Sequence, residues 1–138
     1  MKYMMIVKAT KDSEAGVLPS AEMIDRMGKF NEELVKAGVL VDAAGLRSSA
    51  HGFKVRYAGG KKTVIDGPFT EAKELIAGFW IINVKSPQEA RDWAQRVPNP
   101  YTDADGEIEI RKFFEMEDFE PSEAVERAKE LGKKIGKK

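Results

Sequence analysis

The 138-residue chain contains no cysteine, which excludes disulfides, thiolate nucleophiles and thiolate metal sites together and leaves the redox compartment open. Histidine occurs once, at His51, so a metal centre would have to be built almost wholly from carboxylates, and none is expected. Net charge is missing as well: 23 lysines and arginines balance 23 aspartates and glutamates. Without a global field, neither nucleic acid nor an anionic membrane surface is an expected partner. Long apolar runs are also absent. The opening MKYMMIVKAT is interrupted at Lys8 and carries no small-residue cleavage pattern, and no window approaches a membrane span. The expectation is a soluble, cytoplasmic protein without a cofactor.

What is present suits one core, since 42% hydrophobic content over 138 residues fills a single domain and is short for two. Lys2 to Ala9 reads as a strand with apolar residues on both faces, Tyr3, Met5 and Val7 on one and Met4 and Ile6 on the other. A turn-prone stretch, TKDSEAGVLP, leads to Ser20 as an N-cap. Met23, Met27, Phe30 and Leu34 then recur at helical spacing until Gly38. VLVDAAGLR predicts a second strand, and FKVRYAGGKKTVID alternates about Gly59-Gly60 as a hairpin. GFWIINVK is the most apolar segment and predicts a central strand. SPQE then gives Ser86 as N-cap, Pro87 at the first helical position and Glu89 closing a capping box. Ala90, Trp93, Ala94 and Val97 form that helix's stripe up to Pro98. GEIEIRKFFEME predicts a last strand with one solvated face, and Ser122 caps a C-terminal helix.

The order β-α-β-β-α-β, with an inserted hairpin and an appended helix, predicts a ferredoxin-like α+β domain. Helices can cover one face of such a sheet. The apolar residues on its other face predict pairing with a second copy, a homodimer formed through the sheets.

The segment from Thr63 to Pro100, TVIDGPFTEAKELIAGFWIINVKSPQEARDWAQRVPNP, together with YMMIVKA and GEIEIRKFFEMEDFE, resembles the DGPF subgroup of the YCII-related family. The resemblance spans nearly all of residues 1–120 and leaves 121–138 as a helical extension. It implies a dimeric α+β barrel with a pocket beside the motif acid, Asp66, and no settled reaction. In the subgroup, genes often lie beside those of extracytoplasmic-function sigma factors, which implies a sigma factor as a further partner. The family's histidine falls where this chain has Arg47, and His51 lies four residues later. The family's histidine–aspartate pairing therefore does not carry over intact.

Asp66 ends a strand before a glycine that permits close approach and a proline that fixes the exit direction. Such a carboxylate either points rigidly into a pocket or accepts bonds from the next amides and holds the turn. Gly67 and Pro68 read as architecture and Phe69 as core or pocket wall. His51 is a general-base candidate by its ordinary pKa, or a solvated loop residue. Arg47 can pair with Asp66, clamp an anion, or sit on the surface. Glu71, Lys73 and Glu74 follow on a short helix or loop, as ligand-binding candidates or as a solvated turn. Trp80, Phe79, Trp93 and Tyr57 can line an aromatic pocket, though their spacing favours the core. With no complete catalytic set, the leading expectation is a small-ligand-binding or sensor domain. The alternatives are a cofactor-independent acid-base enzyme using Asp66 on a small anionic substrate, and a regulatory partner of a sigma factor.

Overall fold

Alternation of buried and half-buried residues along Lys2–Lys8 makes β1, and the same alternation along Ile76–Asn83 makes β5. The two strands pair antiparallel, with Met5 opposite Trp80 and Tyr3 opposite Ile82. In this computed structural model, which describes residues 1–101 and 105–136, they form the centre of a four-stranded antiparallel sheet. Leu40–Gly45 (β2) lies outside β5 and Ile108–Lys112 (β6) outside β1, giving the order β2-β5-β1-β6. That order, with helices after β1 and β5, is the ferredoxin-like α+β arrangement expected from the sequence. The helical extension is described to residue 136; residues 102–104, 137 and 138 lie outside the described residues.

Helix starts follow the side-chain chemistry closely. Thr10 caps a short helix, Lys11–Glu14 (α1), inside the stretch expected only to turn. The reason is a capping box: the Ser13 N–H donates to Thr10 Oγ1 at 3.2 Å and the Thr10 N–H to Ser13 Oγ at 2.9 Å. Ser20 accepts from the Met23 N–H at 3.1 Å and opens Ala21–Lys36 (α2). Ser86 does the same for Glu89 and opens Pro87–Arg96 (α3). Here the expected box is shifted by one residue, because the Glu89 carboxylate accepts from the Lys85 N–H, 2.8 Å away.

The stripes of α2 and α3 cover one face of the sheet. Met5, Leu34 and Ile82 are fully buried, and Phe30 meets both Trp80 and Trp93 edge-on at centroid distances of 5.5 and 6.3 Å. Both tryptophans are thus core, and Trp80 satisfies its indole N–H on Asn31 Oδ1 at 2.7 Å. The opposite face, centred on Met4 paired with Ile81 and Ile6 paired with Phe79, stays half-exposed in the single chain. The sequence predicted both faces covered; one chain covers one.

The hairpin, Phe53–Ala58 (β3) and Lys61–Asp66 (β4), forms its own two-stranded sheet. Gly59 and Gly60 both have positive φ, the requirement of its two-residue turn. Every hairpin residue except Ile65 is exposed. After β6 a 3₁₀ turn at Met116–Asp118 replaces the end of the expected strand, and Ser122 opens Glu123–Lys134 (α4). No helix among the described residues is long and apolar enough to cross a membrane.

Candidate functional site

The Asp-Gly-Pro-Phe loop leaves β4 and is fastened to a 3₁₀ turn at Ser49–His51. The Gly67 N–H donates to the Gly52 carbonyl at 2.9 Å, and the Phe69 N–H donates to Ser49 Oγ at 2.9 Å. Between them the backbone passes so close to Ser49 that a Cβ on Gly67 would collide with the Ser49 carbonyl, lying 2.7 Å from its carbon. Glycine is demanded here by proximity. The Gly67–Pro68 peptide is cis.

Ser49 is in turn held by Glu14 on α1. Its backbone N–H donates to the two carboxylate oxygens at 3.0 and 3.2 Å, and its hydroxyl donates to Glu14 Oε2. Bonds to a charged acceptor are stronger than neutral ones, so α1, the 3₁₀ turn and the loop form one connected support.

Downstream of this anchor lies a cleft of about 220 Å³ lined by Lys54, Pro68, Phe69, Thr70, Glu71, Glu74 and Leu75. The Lys54 ammonium sits 4.0 Å from the centroid of the Phe69 ring, within cation–π range. The cleft therefore offers an aromatic face, one cation and two carboxylates. It is smaller than the pockets that enclose drug-sized molecules, and its chemistry suits a small polar molecule carrying an amine, a carboxylate or both.

The cleft brings together three of the predicted residues, Phe69, Glu71 and Glu74. Lys73 shares the 3₁₀ turn Ala72–Glu74 with Glu74 but does not line the cleft. Asp66 is exposed, and its carboxylate makes no hydrogen bond or ion pair among the described residues. The turn-holding alternative for Asp66 is corrected here, because the Gly67 and Phe69 amides donate to Gly52 and Ser49 instead. Register also separates Asp66 from the cleft: it lies opposite Phe53, whereas Lys54 lies opposite Ile65 on the other face of the ribbon. His51 ends the 3₁₀ turn that packs on Gly67, and Arg47 precedes that turn; both are exposed and neither bonds Asp66. Phe79 lies on the open sheet face and Tyr57 on the ribbon, so neither joins an aromatic pocket with the tryptophans.

Sequence reasoning missed Lys54, Ser49 and Glu14. Counting register outward from Gly59-Gly60 places Lys54 on the face opposite Asp66, a signal that was present. Glu14 and Ser49 are 35 residues apart and carry no local signal of their pairing. No group of three or more His, Cys, Asp or Glu side chains placed to hold a metal occurs among the described residues.

One carboxyl elsewhere has a displaced pKa. Glu109, at the β6 edge of the open sheet face, is lowered first by its hydrogen bond from Arg111, at 3.2 Å, and then by the charge of Lys8, at 3.6 Å.

A family model described as the YCII-related domain matches residues 1–117. An uncharacterized protein of Rhizobium meliloti (strain 1021), R00369, is 36% identical to this chain over 85 residues, covering 62% of this chain and 68% of the relative.

Proposed function

The chain belongs to the YCII-related domain family, and on that premise we propose that it is a cytoplasmic small-molecule-binding or sensor protein of the DGPF subgroup, acting as a homodimer. The observation that carries this reading is the cleft under Phe69, whose wall is fixed through Ser49 to Glu14. A site held by its own supporting bonds presents its groups without reordering on binding. Lys54 supplies the cation for a ligand carboxylate or phosphate, Glu71 and Glu74 supply acceptors for an amine, and Phe69 supplies a face for stacking. The half-exposed apolar patch of Met4, Ile6, Phe79 and Ile81 supports pairing of two sheets.

Calorimetric titration with a panel of small amines, amino acids and carboxylates tests it. Saturable binding by wild type, weakened about tenfold or more by Lys54→Ala and by Phe69→Ala, is expected. Saturable binding indifferent to both substitutions, or none across the panel, overturns the assignment of the cleft.

A second reading has one observation in its favour: the turn bearing His51 packs on Gly67, next to an Asp66 carboxylate with no partner of its own. In that reading Asp66 is an acid or base toward a small substrate. A turnover assay in which Asp66→Asn retained full activity would remove it.

A further inference from the structure

The hairpin has two unlike faces. Register puts Phe53 opposite Asp66 at the loop end, Val55 opposite Val64 in the middle and Tyr57 opposite Lys62 beside the turn, all six on one face. Lys54, the cleft residue, shares the other face with Arg56 and Lys61. On the first face Phe53, Tyr57 and Val64 are 65%, 72% and 64% exposed, and Val55 between them is 38% exposed. These four side chains are neighbours on one ribbon, a continuous apolar patch rather than scattered surface residues.

The same face carries one acid and one base, at its two ends. The Asp66 carboxylate makes no hydrogen bond or ion pair among the described residues, and Lys62 makes no ion pair there, its ammonium lying 5.8 Å from the Tyr57 ring. The two charges stand on one strand, about 14 Å apart at the usual rise, too far to pair with each other. A second copy of the face supplies each with a partner.

Two such faces can stack about a two-fold axis lying along the strands or across them. An axis along the strands would gather both Asp66 side chains at one end and both Lys62 side chains at the other, like charge beside like. An axis across the strands reverses the ends. Val55 then meets Val55 and Val64 meets Val64, while each Phe53 meets a Tyr57 and each Asp66 meets a Lys62 of the other copy. Both aromatic pairs and both charge pairs follow from one operation.

We infer that the chain pairs with a second copy of itself through this ribbon face, isologously, with Asp66–Lys62 pairs closing both ends of an apolar centre. Asp66 thereby has a role between copies and none in the fold of its own chain, and the cleft on the opposite face stays open. The contact is small: two strands by five residues cover about 10 by 17 Å, well short of the roughly 800 Å² per partner of a standard stable interface. It is therefore weak and forms at high concentration, and its charges set orientation more than strength. It does not rest on pairing of the sheets, since the ribbon lies outside the four-stranded sheet.

Charge exchange tests the symmetry. In Lys62→Asp both ends of the face are acidic, and in Asp66→Lys both are basic. Sedimentation equilibrium at high protein concentration should show each variant associating about tenfold more weakly than wild type. A 1:1 mixture of the two should regain the loss, because only the mixed pair matches charges at both ends. Pairing of the sheets would add equally to wild type, variants and mixture and leave these differences unchanged. A mixture no stronger than its components overturns the inference, as does wild type no stronger than either variant. Cross-linking reads the geometry separately, and the chain brings no cysteine of its own. Val55→Cys alone should be joined to itself by a short bismaleimide, whereas Tyr57→Cys alone should not, its two copies lying about 14 Å apart along the strands. Product from Tyr57→Cys with none from Val55→Cys contradicts the axis and removes the pairing.

Discussion

The sheet body and the β3–β4 ribbon are both antiparallel, both alternate, and come from the same chain, yet they spend their apolar residues differently. In the body, alternation drives Met5 and Ile82 to complete burial beneath α2 and α3, where the α2 stripe buries Leu34 against them. In the ribbon, Phe53, Val55, Tyr57 and Val64 alternate just as cleanly and none is buried. Period-two patterning thus reports a strand and its faces, not what covers them. The body is where the buried core resides, and the ribbon is a surface left exposed outside it.

The comparison breaks if the two regions respond alike to truncation. Leu34→Ala removes a fully buried side chain and should cost about 3 to 4 kcal/mol. Tyr57→Ala on the ribbon should change unfolding of dilute protein by no more than about 0.5 kcal/mol. Urea denaturation of the two variants, read by circular dichroism, makes the check; equal losses would deny the ribbon its separate status.

The junction between the regions comes next in size. Gly67→Ala places a methyl against the Ser49 carbonyl, where only backbone movement can relieve the clash, so a loss of about 2 kcal/mol is expected. Exchange of the Gly67 amide hydrogen should also accelerate as its bond to Gly52 opens. A variant as stable and as protected as wild type would show that the loop is not seated on the turn.

The open sheet face gives the smallest effect. Because Arg111 and Lys8 lower the Glu109 pKa relative to the unfolded chain, Glu109 contributes stability above its unfolded pKa and loses it as pH falls through the folded value. Nuclear magnetic resonance titration should find its midpoint below that of an ordinary glutamate, and Glu109→Gln should flatten part of the acid limb of the stability curve. A midpoint at or above the ordinary value would contradict the Lys8–Glu109–Arg111 cluster.

Local chemistry made most of the fold legible. Ser20, Ser86 and Ser122 each accept from the amide three residues on, at 3.1, 3.1 and 3.2 Å, because an N-cap needs only its own turn. The hairpin was equally readable from Gly59-Gly60. The site was legible in part: the motif located the loop, and Phe69, Glu71 and Glu74 do line one cleft. Its support was not, because Glu14, Ser49 and Phe69 are joined across separations of 35 and 20 residues that only the folded chain closes. Asp66 drew attention as the acid of the motif, while its neighbours' amides are satisfied by Gly52 and Ser49.

That contrast between Ser49 and Asp66 is the most direct test. The account holds that the loop is held by Ser49 and Glu14 and that the Asp66 carboxylate has no structural duty. Equilibrium unfolding of Ser49→Ala and Asp66→Asn, side by side, should show a loss of about 1 to 2 kcal/mol for Ser49→Ala and a change within about 0.5 kcal/mol for Asp66→Asn. The reverse order, a destabilised Asp66→Asn beside an unaffected Ser49→Ala, would contradict the account at its centre.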